Sequence, residues 1–331
     1  IPAGERIVIY SRIAGTGSQL PEKIVTNHDL EQIMDTSDQW IRERTGIHER
    51  RVISNGETTA TLAEGACRKA IEAAGMDPAE IDLFVMGTTT PDLVFPSTAC
   101  LVQKKLGLPD CGAMDVNAAC SGFMYALSIA DKYIRCGDAK KVLVCGSETL
   151  TQVVNWQRRD TAVLFGDGAG AVVLEASDAV GILSTHIHAN GEHADLLRTD
   201  TGVSRGFGDM SKNEYKPEVE MKGNEVFKVA VRTLHRIVDE TLGANGLEKS
   251  DLDWLIPHQA NLRIIAATAR MLDMDMDHVV VTVDRHGNTS AASVPLALDE
   301  AVRDGRIKRG DLMLLEAFGG GFTWGSALIR Y

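Results

Sequence analysis

Ala74-Gly75-Met76-Asp77-Pro78-Ala79-Glu80-Ile81-Asp82-Leu83-Phe84-Val85-Met86-Gly87 and Asn245-Gly246-Leu247-Glu248-Lys249-Ser250-Asp251-Leu252-Asp253-Trp254-Leu255-Ile256-Pro257-His258 follow one pattern. Each reads as the end of a helix, a turn, and a short apolar run that suits a buried strand. The copies stand 171 positions apart (87 to 258), and each follows a helical pattern, over residues 58–74 and 224–242. A chain that repeats a helix–turn–strand unit at this spacing is built as two similar α/β halves.

A second correspondence lies close to that distance. Residues 120–137 and 288–305 read as helices closed by a glycine, 168 positions apart, which sets Cys120 and Asn288 at matching helix starts. Each leads into a buried strand, over residues 141–145 and 311–315. Each half then closes with a glycine-rich turn entering a last strand, at Phe165-Gly166-Asp167-Gly168 and Phe318-Gly319-Gly320-Gly321. The expected halves are residues 1–176 and 177–331.

Composition sets the frame. With 331 residues, 44% of them hydrophobic and 24% charged, the chain suits two packed halves with a large core. No apolar run has the length of a membrane span. Residues 1–10 carry Glu5 and Arg6 in a strand-like stretch rather than a signal-peptide pattern, so a cytoplasmic address is expected. Six scattered cysteines with no CxxC pair predict reduced thiols, with neither a disulfide framework nor a zinc site. His186, His188 and His193 offer an HxH pair but no evident fourth ligand, and read as a polar edge strand; no metal is expected.

The net charge of −12 argues against general nucleic-acid binding. A local basic patch is compatible with it. Lys228, Arg232 and Arg236 share one helical face, and Arg263 and Arg270 lie seven apart in another segment; an ordinary solvated face would read the same way.

Three polar residues occupy strand ends and helix starts. Cys120 follows a β-like run over residues 111–117 and heads a helix, where unpaired amides and the helix dipole favour thiolate; Ala119, Ser121 and Gly122 leave room for a carbonyl. Alone, Cys120 could be a buried structural thiol, His258 a core histidine and Asn288 an N-cap. In a duplicated fold with a pseudo-two-fold axis the three positions converge on one cleft.

The stretches Asp115-Val116-Asn117-Ala118-Ala119-Cys120-Ser121-Gly122-Phe123, Pro257-His258-Gln259-Ala260-Asn261, His286-Gly287-Asn288-Thr289-Ser290-Ala291-Ala292 and Phe318-Gly319-Gly320-Gly321-Phe322-Thr323-Trp324-Gly325-Ser326 resemble the signature blocks of β-ketoacyl-acyl carrier protein synthase III. The resemblance runs from about Ile7 to Tyr331 and implies the thiolase-like five-layer αβαβα fold, a homodimer and an acyltransferase activity. The implied reaction joins a short acyl-CoA, typically acetyl-CoA, to malonyl-acyl carrier protein with loss of carbon dioxide. It initiates fatty-acid synthesis and needs no cofactor beyond the coenzyme A thioester consumed as substrate.

By the same resemblance each residue has a role. Cys120 takes the acyl group, the amides of Cys120 and Gly320 hold the oxyanion, and His258 and Asn288 donate to the thioester oxygen of decarboxylating malonyl-acyl carrier protein. Phe318 packs beside the reacting carboxylate. Thr36, Trp40, Arg44 and Arg159 meet the nucleotide of coenzyme A, with the base between Trp40 and Arg159, and Asn261 meets the pantetheine arm. Lys228, Arg263 and Arg270 dock the acidic carrier protein. Phe95 crosses the dimer interface to floor the partner's acyl pocket. Asp160 departs from the pattern, standing where a glycine is common.

Relatives of other types differ at the site. Thiolases carry a second cysteine in the block that here reads Glu316-Ala317-Phe318-Gly319-Gly320-Gly321, and elongating synthases use a second histidine in place of Asn288. An intact trio argues against a silent thiolase-fold subunit. A related synthase of secondary metabolism with another acceptor stays open.

Overall fold

Residues 9–205 and 217–331 are described by the structure, a computed structural model. Of the strand-like stretch over residues 1–10, the first eight residues lie outside the described ones, and the first strand begins at Tyr10.

The first half runs β1 (Tyr10–Gln19), β2 (Ile24–Thr26), α1 (Asn27–Glu31), α2 (Asp38–Thr45), β3 (Glu49–Arg51), α3 (Thr59–Ala73) and β4 (Leu83–Gly87). It continues through α4 (Thr98–Leu106), β5 (Gly112–Val116), α5 (Gly122–Cys136), β6 (Lys141–Thr149), α6 (Arg159–Ala162) and β7 (Asp167–Ser177). Its main sheet has the order β1-β7-β6-β4-β5; β6, β4 and β5 run parallel and β7 runs against both its neighbours.

The second half follows with β8 (Ile182–Ala189), β9 (Leu197–Thr199), β10 (Val219–Met221), α7 (Gly223–Asn245) and β11 (Trp254–Pro257). After these come α8 (Leu262–Met271), α9 (Val283–His286), α10 (Ser293–Arg303), β12 (Leu312–Gly319) and β13 (Thr323–Arg330). The order β8-β13-β12-β11 repeats that of the first sheet, and a parallel bridge from Leu255 to Val279 takes the place of the fifth strand.

Strand alternation builds the layers. On β6, Val142 and Val144 face a core that also holds Phe123 and Leu127 of α5, Leu298 of α10, and Met313 and Leu315 of β12. Leu143 and Cys145 face the opposite way, onto Ala63, Ala66 and Ala70 of α3. Leu314 and Leu328 of the second sheet pack outward onto Val238 of α7 and Ile265 of α8. Strands covered on both faces carry the near-continuous apolar runs seen in the sequence. The result is five layers: α3 and α4, the first sheet, α5 and α10, the second sheet, α7 and α8.

One register differs from the sequence reading. Short 3₁₀ turns, Ala119–Ser121 and Ser290–Ala292, precede α5 and α10. Each opens on a non-glycine residue in the left-handed region, Ala119 at φ 45° and Ser290 at φ 51°. These turns lie 171 positions apart (119 to 290), the same offset as the helix–turn–strand repeat. Cys120 therefore corresponds to Ala291, and Asn288 to Asn117; Cys120 and Asn288 are not equivalent. Alignment by closing glycine assumed equal lengths, whereas α5 has 15 residues and α10 has 11.

Candidate active site

The nucleophile candidate is fixed by the strand behind it. Ser121 Oγ donates to the Thr323 carbonyl at 3.0 Å and Thr323 Oγ1 donates to the Ala118 carbonyl at 2.7 Å, tying the Cys120 turn to β13. Gly319 packs so closely that a methyl there would lie 2.6 Å from the Cys120 amide nitrogen. Cys120 is 7% exposed. Burial pushes its thiol up to about 12; a hydrogen bond with Ser290 acts the other way and the charge of Glu148 adds to the rise. The thiolate expected at a helix start is thus not the resting form, because desolvation outweighs the amides at the head of α5.

Two donors face the same space. His258 ends β11, its amide held by the Glu316 carbonyl at 2.8 Å, and burial pushes its imidazole down to about 3. The ring is therefore neutral. Its Nδ1 lies 2.6 Å from Ser293 Oγ, which also accepts from the Gln259 amide at 3.3 Å. Among the described residues Nδ1 is the one acceptor within reach of the Ser293 hydroxyl proton, so Ser293 donates to Nδ1, the tautomer that leaves Nε2–H as a donor. Asn288 is held by its backbone, which exchanges hydrogen bonds with Leu164 and Gly166 at 2.8 and 3.0 Å. Asn288 Oδ1 accepts from the Ser290 amide at 2.9 Å, so Nδ2 is the group left to donate.

Cys120, His258, Asn288, Phe318 and Gly320 line one cavity of about 1170 Å³, which also reaches the exposed residues Arg44, Asp160 and Arg263. Phe318 stacks obliquely on Phe322 at 4.7 Å. Toward the surface, Trp40 carries two guanidinium groups, Arg44 at 4.4 Å and Arg159 at 4.5 Å from its ring centre. Arg159 also donates to the Asp35 carbonyl at 2.9 Å. A base flanked on both faces needs about twice the usual stacking distance, so Arg159 must swing away from Trp40 for one to enter.

The other candidates are spread around this cavity. Thr36 Oγ1 is buried with no hydrogen-bond partner among the described residues. Asn261 lines the cavity and caps α8 through the Ile264 amide at 3.0 Å. Asp160 pairs with Arg158 at 3.0 Å. Lys228 on α7 and Arg270 on α8 are exposed, and Arg263 lies over Phe227 at 5.2 Å. Phe95 is 83% exposed and does not line the cavity. His188 is committed to Glu240 at 2.9 Å and stacks on Trp324; His186 shares Glu240 at 3.3 Å. Among the described residues no cluster of three or more His, Cys, Asp or Glu is placed to hold a metal.

Sequence reading missed Ser293, which orients His258, and the buried pair Ser290 and Glu148 beside Cys120. Glu148 did carry a signal: it is a carboxyl in the otherwise apolar and small run Val142-Leu143-Val144-Cys145-Gly146-Ser147, at the carboxyl end of a parallel strand, where sites in α/β sheets gather.

Comparison with known proteins places this geometry. Residues 114–191 match the family described as 3-oxoacyl-[acyl-carrier-protein (ACP)] synthase III, and residues 242–331 match its C-terminal counterpart. A β-ketoacyl-[acyl-carrier-protein] synthase III of Xanthomonas campestris is 68% identical over 98% of this chain and 99% of its own. The chain belongs to the β-ketoacyl-acyl carrier protein synthase III family. The crystal structure of the Aquifex aeolicus 3-oxoacyl-[acyl-carrier-protein] synthase III superposes on this family member with a TM-score of 0.91 at 48% identity, covering 97% of this chain and 100% of that one. The priming β-ketosynthase of the R1128 polyketide pathway reaches 0.92 at 38% identity, covering 97% and 96%. As a synthase III, the chain is a thiolase-fold acyltransferase of the condensing type.

Proposed function

We propose that this synthase transfers a short acyl group, acetyl in the first instance, from coenzyme A to Cys120 and condenses it with malonyl-acyl carrier protein. The products are 3-oxoacyl-acyl carrier protein, coenzyme A and carbon dioxide. The observation that carries this reading is the neutral His258, set as an Nε2–H donor beside the side-chain amide of Asn288, in the same cavity as Cys120.

In the first half-reaction the Cys120 sulfur adds to the thioester carbonyl, the amides of Cys120 and Gly320 receive the oxyanion, and collapse expels coenzyme A. In the second, the bond to the malonyl carboxylate breaks and its electron pair becomes an enolate whose oxygen rests on His258 and Asn288. Because neither donor carries a charge, both serve without a proton being lost to the substrate. The enolate carbon then attacks the acyl carbonyl, and the Cys120 sulfur leaves. Phe318 and Phe322 keep water from the carboxylate, which favours its departure as carbon dioxide. No resident cofactor enters either step.

The outer contacts follow the same reading. Thr36, Trp40, Arg44 and Arg159 receive the nucleotide, with Asn261 along the arm. Lys228, Arg263 and Arg270 receive the acidic carrier protein. Leu93, Val94 and Phe95 are 50%, 68% and 83% exposed, an apolar tip that a second copy covers in a homodimer. No helix among the described residues is long and apolar enough to cross a membrane; the proposed setting is the cytoplasm.

Intact-mass analysis after incubation with a panel of acyl-CoAs, then malonyl-acyl carrier protein, tests the reaction. The expected result is an acyl adduct absent from Cys120→Ala and discharged by malonyl-acyl carrier protein. An adduct that persists in Cys120→Ala overturns the nucleophile; an acyl-enzyme that discharges only onto another acceptor overturns the initiating role.

A further inference from the structure

The two half-reactions leave one buried ionisable group beside the nucleophile unused. Glu148 lies near the end of β6 and is fully buried. Its Oε1 accepts from Ser290 Oγ at 3.1 Å and the Thr89 amide at 3.2 Å; Oε2 accepts from the Thr90 hydroxyl at 2.6 Å, the Thr90 and Thr89 amides at 3.1 Å and the Thr88 hydroxyl at 3.3 Å. No cation pairs with it among the described residues. Ser290 and Cys120 line the same cavity, and Ser290 is the side chain that most lowers the Cys120 thiol pKa against its burial. Three elements thus meet in one line: the turn before α5, the turn before α10 and the end of β6.

We propose that Ser290 and Glu148 form a relay that takes the proton from the Cys120 thiol as it attacks the acyl thioester, with Ser290 acting at the sulfur and Glu148 as the positioning residue behind it. As the Sγ–C bond forms, the thiol proton passes to Ser290 Oγ and the Ser290 proton passes to Glu148 Oε1, while the carbonyl π pair moves to oxygen. When the C–S bond to coenzyme A breaks, its electron pair leaves on sulfur and the proton returns through Ser290 to that thiolate. Glu148 is again a carboxylate, and no further reactant is consumed. This deepens the acyl-CoA reading and rests on it.

The energetics suit the assignment. A thiol held near 12 needs a base at hand, and burial pushes the Glu148 carboxyl up to about 7, near the operating range of a general base. The other titratable groups around it are differently engaged. His258 is neutral, and Asp167, across from Thr149 on β7, is bound by Thr151 Oγ1 at 2.6 Å and the Ile53 amide at 2.8 Å. A plain tether for residues 88–90 would use the same hydrogen bonds but would predict the opposite effect on the thiol. The Glu148 charge raises the Cys120 pKa, so removing it without a relay speeds the thiol's reactions.

The test follows iodoacetamide alkylation of the Cys120 peptide in the full chain from pH 5.5 to 9, alongside single-turnover acylation by acetyl-CoA. Peptide-level readout is needed because Cys136 is exposed. The parent protein is expected to show a rise with an inflection near pH 7. Glu148→Gln and Ser290→Ala are expected to react about 100-fold more slowly at pH 8 and to lose that inflection, and Glu148→Asp to keep it. Thermal melting checks that each variant folds, and Ser290→Ala, which leaves Glu148 and its loop in place, decides if Glu148→Gln does not. A folded variant of either kind that alkylates at the parent rate or faster overturns the relay, whatever the shape of its pH profile. Alkylation with the expected profile but no acylation by any acyl-CoA would instead overturn the acyl-CoA reading and leave the relay standing.

Discussion

Gly319 shows how little slack surrounds Cys120. A β-carbon there would stand 2.6 Å from the Cys120 amide nitrogen and 2.9 Å from its Cβ, both backbone-fixed positions that cannot rotate away. Gly319→Ala is expected to displace the turn, slowing acylation about 100-fold and costing roughly 1–3 kcal/mol of stability. Single-turnover mass spectrometry and denaturant unfolding measure the two effects. His258→Ala is expected to divide the half-reactions: acylation of Cys120 persists, while decarboxylation of malonyl-acyl carrier protein falls about 100- to 1000-fold, read as carbon dioxide release. The lowered imidazole pKa adds a sign. Because His258 protonates only near pH 3, its donor role is expected to be unchanged between pH 5 and 8. That Cys120, His258 and Asn288 meet in one cavity was legible in the sequence because Cys120 precedes α5 and His258 follows β11, while Asn288 came from the closing-glycine register that the two turns correct. Ser293 and Glu148 were not singled out, because their roles depend on partners more than 30 residues away in the chain.

At the scale of elements, the helix–turn–strand repeat carried the fold and one helix length blurred it. The 171-residue offset at Gly87 and His258 recurs in the turns at Ala119 and Ser290, but the closing glycines suggested 168 because α10 is shorter than α5. Register between distant copies is set by packing at the helix start, where Gly319 meets Cys120, and periodicity does not record it. Two surface elements support separate predictions. α2 and α6 bring Trp40 and Arg159 together, so Trp40→Ala is expected to raise the KM for acetyl-CoA about tenfold and leave that for acetyl-pantetheine unchanged. On α7 and α8, Lys228→Glu with Arg263→Glu is expected to raise the KM for malonyl-acyl carrier protein by about tenfold or more. The acyl-CoA step should change less, and the penalty should shrink as salt is added, in steady-state assays over an ionic-strength series.

Across the whole molecule, the layers enclose charge-bearing groups whose burial makes stability depend on pH. Glu316 lies in β12 with neither carboxyl oxygen hydrogen-bonded among the described residues; the Thr268 hydroxyl beside it donates instead to the Ile264 carbonyl at 3.3 Å. Burial raises its carboxyl to about 8, against an ordinary 4.5. The folded state therefore holds the proton more tightly than the unfolded one, and the contribution to stability is full below pH 4.5 and declines as pH rises toward 8. Glu148 and Asp167 act in the same direction up to about 7 and 6. His258 and His286, lowered to about 3 and 4, act oppositely, but only as pH falls below 6.5. Above pH 6.5 His258 and His286 no longer contribute, and the raised carboxyls, joined by the exposed His28 that its hydrogen bond to Glu31 raises, set the slope. From pH 6.5 to 8 the protein is expected to lose about 2 kcal/mol through Glu316, from 1.36 kcal/mol per pH unit. Glu316→Gln cannot ionise, so its melting temperature should fall by less over that range and exceed the parent's at pH 8. Melts at matched protein concentration measure this, and parallel curves for the two proteins would show that Glu316 holds no raised proton.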